Sequence, residues 1–385
     1  MTRPTSQNIM LSQQQFLELL RAGLWGRPAD IGLFADKENV DWKAILRMAR
    51  EQTVIVIVAD GIETLPEELW PPRKAMLQLM MMRVRTQQMH QLLNSTLNLV
   101  TEALNAQGIP SVLLKGQGVA QNYRIPESRM CGDIDLYVGE ENYKRACTVV
   151  AGLSPQKGAL GQETAMHQHV TLNGVEIEIH HIADFMGYKK EKDELQSWVD
   201  RCMNMKSIPS TDNIWRNAGT DICLPPHTYN SFFILHHIVR HLATEGIGLR
   251  QICDWTLYLH KHHEEIDAAE LEEKLQTFKM KELWDEFSLL ATDILGLPAD
   301  NLPLTIRSTS SAKTPLLINH ILTTGNFGQY ADEIIDIKEK VILKRKWRSF
   351  RIQSSRLFKL FQISPYYAIR FWWGWFISAL KRLPR

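Results

Sequence analysis

LLKGQGVAQNYRIPESRMCGDIDLYV, residues 113–138, holds a chain break between two strand-like ends. SVLLK is a short apolar strand that stops at Gly116, and GQGVAQNYR is a glycine-led turn into a short helix. DIDLYV alternates acid and apolar residues, the period of two that gives a strand two unlike faces. Asp133 and Asp135 therefore share one face, and Ile134 and Leu136 the other. Such a strand is either a solvated edge or half of a metal site, and spacing alone leaves both open.

Outward from this stretch the pattern stays α/β. EENYKRACTVVAGL predicts an amphipathic helix. HQHVTLNGVEIEIHH predicts two alternating strands around Asn173-Gly174, a strong two-residue hairpin signal. The hairpin fixes its own register: Leu172 faces Val175, Val170 faces Ile177 and Gln168 faces Ile179. On the polar side Thr171 pairs with Glu176, His169 with Glu178, and His167 with His180. Residues 109–182 are thus predicted as β-α-β-α-β-β, with one apolar face under helices and one face of acids and histidines.

Helices are expected on both sides. SQQQFLELLRAGL carries Phe16, Leu17, Leu19, Leu20 and Leu24 at helical spacing, with Ser12 as its expected cap. DWKAILRMAREQTVIVIVADGI is expected to run as a helix from the Asp41 cap to Gly61. A long helix is expected from about Pro72 to Gln107, stopped by Gly108 and Pro110, with its methionines filling core. Past residue 190 helices return, two of them joined at Gly246-Ile247-Gly248. The predicted class is α+β. A catalytic core spans 108–185, helical regions 1–107 and 186–340 flank it, and a tail follows at 341–385.

The chain has 385 residues and a net charge of +1, which hides an asymmetry. Residues 341–385 hold 11 Lys or Arg and no acid, leaving the remaining 340 residues near −10. The five cysteines are scattered without a CxxC and are expected as reduced cytoplasmic thiols. No secretory leader and no membrane span is expected. No Walker loop, dinucleotide fingerprint or Ser-His-Asp arrangement appears.

Two aspartates about 7 Å apart on one strand repel unless a cation neutralises them. Glu178, from a later strand, is a third carboxylate for Mg²⁺ held together with substrate phosphates. A glycine after a buried strand lets backbone approach a phosphate. Lys115 is either a phosphate partner or a surface residue, and Arg129 either a phosphate partner or an ion pair with Asp133.

Together these stretches resemble the nucleotidyltransferase superfamily with the DNA polymerase beta-type catalytic fold. Within it the chain is similar to a bacterial family of uncharacterised nucleotidyltransferases. The resemblance rests on residues 113–138, VEIEIHH and HHIVRHLATEGIGLRQICDW, all within about residues 95–260. It implies transfer of a nucleoside monophosphate from an NTP to an unknown acceptor with release of pyrophosphate, aided by Mg²⁺ or Mn²⁺. It further implies Asp133, Asp135 and Glu178 as metal-binding and catalytic acids, and Gly116 and Gln117 at the triphosphate turn. Gln117 stands where the superfamily has a small residue, and Glu178 where it usually has Asp. Arg250, which forms an i, i+4 pair with Asp254, is implied at the nucleotide or acceptor pocket; a local ion pair is the alternative. His237 and His241 share a helix face, without the acid of a zinc-protease motif. A non-catalytic nucleotide-binding module is the other function class.

The tail interleaves Arg and Lys with Tyr366, Tyr367, Phe371, Trp372, Trp373, Trp375 and Phe376. It is expected either to dock on the acidic body, to touch an anionic membrane as a peripheral adaptor, or to bind nucleic acid.

Overall fold

The computed structural model describes residues 6–381 except 156–158, 187, 307–311, 326–353, 355–356 and 359. The described chain divides into two compact units. One contains residues 1–79, 235–263 and 272–385; the other contains 80–234 and 264–271.

The second unit carries a five-stranded mixed sheet, in the order β1-β2-β5-β4-β3. Its strands are β1 (Val112–Leu113), β2 (Asp133–Tyr137), β3 (Leu160–Glu163), β4 (His167–Leu172) and β5 (Val175–His180). β2 runs parallel to β5, which places Asp133 opposite Glu176, Asp135 opposite Glu178 and Tyr137 opposite His180. The β4–β5 hairpin turns at Asn173 and Gly174, both at positive φ, as a twist-matched two-residue turn requires. Its register is the one expected from sequence at all six pairs.

The sheet's apolar face is covered by α4 (Arg73–Ala106) and by the helix Gly139–Gly152. Leu93, Leu97, Val100 and Leu104 recur at helical spacing on α4 and pack with Ile134, Leu136, Val170 and Ile177. Gly108 ends α4 at φ +65°, with Ile109 N–H donating to Leu104 O at 2.9 Å. The α+β class stands, with helices on both flanks of the sheet.

Several local expectations are corrected. β3 has no counterpart in the sequence reading: all four of its residues are exposed, so it lacks an apolar alternation. The hairpin β6 (Ile214–Asn217) and β7 (Thr220–Cys223) lies where the sequence predicts only helix. Ser12 sits inside α1 (Ser6–Trp25), not at its cap. Leu77, Met80, Met81 and Val84 stand on an exposed stripe of α4, so that methionine cluster does not fill core.

In the first unit the helix expected across 41–61 is two: α2 (Trp42–Glu51), capped by Asp41, and α3 (Ile55–Ile62). Thr53 breaks it at φ 58°. The buried Gln52 explains the break. Its Oε1 accepts from Leu249 N at 3.0 Å, and its Nε2 donates to Ile321 O at 3.2 Å and Leu322 O at 3.3 Å. Side-chain bonds to three distant backbone groups outweigh the local preference to continue one helix.

The C-terminal helix Pro365–Lys381 docks one side on this unit. Tyr367 is fully buried and its hydroxyl donates to Phe278 O at 2.7 Å. Tyr366, Ile369, Trp372 and Trp373 face outward. The basic run at 344–353 and the side chains of Trp375 and Phe376 lie outside the described residues. No helix among the described residues is long and apolar enough to cross a membrane.

Candidate active site

The polar face of the sheet is built by register. β2, β5 and β4 lie side by side, so every second residue of each strand points to the same face. That face carries Asp133 and Asp135, then Glu176, Glu178 and His180, then His167 and His169.

Asp135 is its buried centre, 1% exposed. Lys115 Nζ lies 3.0 Å from Asp135 Oδ1, so Lys115 belongs to the site and not to the outer surface. His180 Nε2–H donates to Asp135 Oδ1 at 3.2 Å and to Glu178 Oε2 at 3.2 Å. Burial favours the neutral acid, but the Lys115 ammonium and the His180 hydrogen bond outweigh it. The Asp135 carboxyl is held well below the usual carboxylate range. For His180, burial favours the neutral ring, and the bonds to Asp135 and Glu178 reverse that, raising its pKa.

Asp133 is exposed at the start of β2. The Gly116 turn approaches it closely: a Cβ at position 116, where φ is +62°, would lie 3.3 Å from Asp133 O. Leu114 N–H donates to Asp135 O at 3.0 Å and ties the turn to the strand. Gln117 follows the turn fully buried, and its Oε1 and Nε2 have no hydrogen-bond partner among the described residues. Its backbone is therefore what the turn presents.

Arg129 is buried just before β2. Its Nη1 donates to Cys131 Sγ at 2.7 Å, and its carbonyl lies 2.7 Å from His90 Nε2. Arg250 belongs to the helix Leu249–His262, in the first unit and not the sheet's. His237 and His241 stack edge-on at 4.3 Å on the helix His227–Thr244, and both belong to the first unit.

Sequence reasoning offers His180 and His169 either to orient Glu178 or contact substrate, or as structural residues, and assigns no metal-ligand role to His167 or His180. Among the described residues, His167, Glu178 and His180 bring one ligand atom each to within 4.8 Å of one another. The signal is present as two i, i+2 pairs, His-x-His on β4 and Glu-x-His on β5, facing each other across the hairpin. Burial, followed by the nearby His180, lowers the His167 pKa to about 4 and keeps that ring neutral.

The Lys115–Asp135 pair gives a pH prediction. Because the folded-state pKa of Asp135 is depressed, its ionised form adds stability above the unfolded value of about 4 and loses it as pH falls below. Lys115→Met is expected to cost roughly 2 kcal/mol at neutral pH and to flatten this acid limb. Urea melts at pH 7 and pH 3 measure both effects.

No curated protein and no solved structure matches the chain. A face of paired acids beside a glycine turn is the arrangement that the resemblance in residues 113–138 implies, and a family model spans it. That model, described as uncharacterised nucleotidyltransferase, matches residues 38–296, and the chain belongs to this family.

Proposed function

We propose that the protein is a metal-dependent nucleotidyltransferase of the DNA polymerase beta type, bacterial and cytoplasmic, with residues 108–185 as its catalytic core. One observation carries this: the parallel register that sets Asp135 opposite Glu178, with the Gly116 turn against Asp133. Asp133 and Asp135 are the metal ligands, and their carboxylate oxygens suit Mg²⁺ or Mn²⁺. When bound, that ion supplies Lewis-acid charge for the α-phosphate and for the attacking and leaving oxygens. The Gly116–Gln117 backbone receives the triphosphate, and Lys115 meets its charge. Arg129 and Arg250 are nucleotide-binding candidates on the resemblance alone. Glu178 takes the proton from the acceptor hydroxyl or amine, held in place by His180 Nε2 at 3.2 Å.

Labelled NTPs with Mg²⁺ or Mn²⁺ and cell extract test this. Transfer of label to an acceptor is the expected result. Nucleotide binding with no turnover under either ion would assign the non-catalytic module instead.

The tail supports a peripheral role beside catalysis. Its outward aromatic face and its 11 basic, acid-free charges suit an anionic lipid surface. Ile369→Ala/Trp372→Ala/Trp373→Ala leaves the Tyr367 anchor intact and is expected to abolish flotation on vesicles rich in anionic lipid. Equal flotation of variant and parent, or retention of nucleic acid in place of vesicles, would reject the membrane role.

A further inference from the structure

The hydrogen-bond chain on β4 favours one tautomer of His167. Glu176 only accepts, so His169 donates to it through Nδ1–H, at 2.5 Å. His167 Nε2 lies 3.0 Å from His169 Nε2, and in the tautomer that leaves His169 Nε2 accepting, His167 Nε2–H donates to it. The neutral His167 ring then has a bare lone pair on Nδ1. That atom is buried without a hydrogen-bond partner among the described residues and lies 3.5 Å from Glu178 Oε2. A lone pair facing a carboxylate is repulsive unless a cation lies between them. His180 Nε2 approaches the same Glu178 Oε2 to 3.2 Å.

We propose that His167 Nδ1, Glu178 and His180 Nε2 form a site for a first-row transition-metal ion of Zn²⁺ type, distinct in donor chemistry from the Asp133–Asp135 pair. Two imidazole nitrogens and one carboxylate suit Zn²⁺, Co²⁺ or Mn²⁺, whereas Mg²⁺ selects oxygen donors. The ion replaces the proton on His180 Nε2, which leaves that ring protonated at Nδ1. The His169–Glu176 pair orients His167 from behind, as a carboxylate-backed histidine does for a ligating ring. Three protein donors leave a coordination position open for water or a phosphate oxygen.

This site shares Glu178 and His180 with the proposed nucleotidyl-transfer site but does not depend on that activity, and its test uses the metal alone. Full-length protein stripped with chelator is titrated calorimetrically with Zn²⁺ and then Mg²⁺, and with Co²⁺ for its visible spectrum. One Zn²⁺ per chain is expected, bound at least about 100-fold more tightly than Mg²⁺. His167→Ala is expected to weaken Zn²⁺ about 100-fold, and His169→Gln about tenfold, each with a change in the Co²⁺ bands. Asp133→Asn should leave Zn²⁺ affinity unchanged. Unaltered affinity in both histidine variants, with folding verified by circular dichroism, would overturn the site. Equal affinity for Zn²⁺ and Mg²⁺ in the parent would do the same.

Discussion

Asp133→Asn is expected to lower nucleotidyl transfer by at least about 10³-fold while leaving the thermal midpoint unchanged. The separation follows from the position. Asp133 is exposed at the first residue of β2, so its charge supports little of the fold. An amide keeps the shape but gives up the anionic oxygen that holds a hard cation. Asp135→Asn is the informative contrast. It should abolish transfer as well, but it also leaves Lys115 and the buried His180 facing a neutral group, so stability falls with activity. Rates with labelled NTP, set beside thermal melts of both variants, check the pair. Wild-type transfer in Asp133→Asn would remove the acid pair from the chemistry.

Gly23→Ala is expected to cost roughly 3 kcal/mol or more, the largest loss of stability foreseen for one methyl group. α1 and α3 cross through reciprocal glycines. A Cβ at Gly23 would fall 1.9 Å from Ile57 O, and a Cβ at Gly61 would fall 1.9 Å from Leu19 O. Both obstacles are helix backbone, which cannot turn aside as a flexible side chain would. Either helix must move, and Phe16, Leu20 and Val58, all fully buried, move with it. Against a total stability of about 5–15 kcal/mol such a loss is severe. Gly152→Ala is the control. It closes the helix Gly139–Gly152, no atom of the described residues outside its own helix and chain neighbours lies within 4 Å of its added Cβ, and its effect should stay within about 0.5 kcal/mol. Chemical denaturation of the two variants measures the difference, and equal midpoints would show that the crossing tolerates a side chain.

Much of the polar face is legible in the amino-acid pattern. Asn173-Gly174 is a turn whose geometry leaves little choice of register, so the His167–His180 and His169–Glu178 pairs follow directly. Elsewhere local signals are overruled. The break at Thr53 depends on Gln52 reaching residues about 200 and 270 positions away, which no local pattern records. β3 has no sequence signature because an exposed edge strand needs no apolar alternation. The exposed methionines of α4 have the spacing of a core stripe, and only the position of the neighbouring elements shows that nothing described covers them.

The sequence by itself determined which residues share a face. Period two on the strands and 3.6 on the helices are properties of the backbone, and capping, glycine turns and charge distribution act over a few residues. Those grounds put the two acids of DIDLYV on one face and Glu176, Glu178 and His180 of VEIEIHH on another; the site roles of these acids and of the glycine are what the resemblance implies. Only the tertiary structure decided which strand lies beside which, because parallel pairing of β2 with β5 depends on helices covering the opposite face. It also decided the partners of each charge. Lys115 turns onto Asp135, His180 bridges Asp135 and Glu178, and His167 Nδ1 lies 3.5 Å from the Glu178 carboxylate. Those contacts are set by burial and side-chain direction, and the Asp135–His180 bond joins residues 45 positions apart, where local periodicity carries no information.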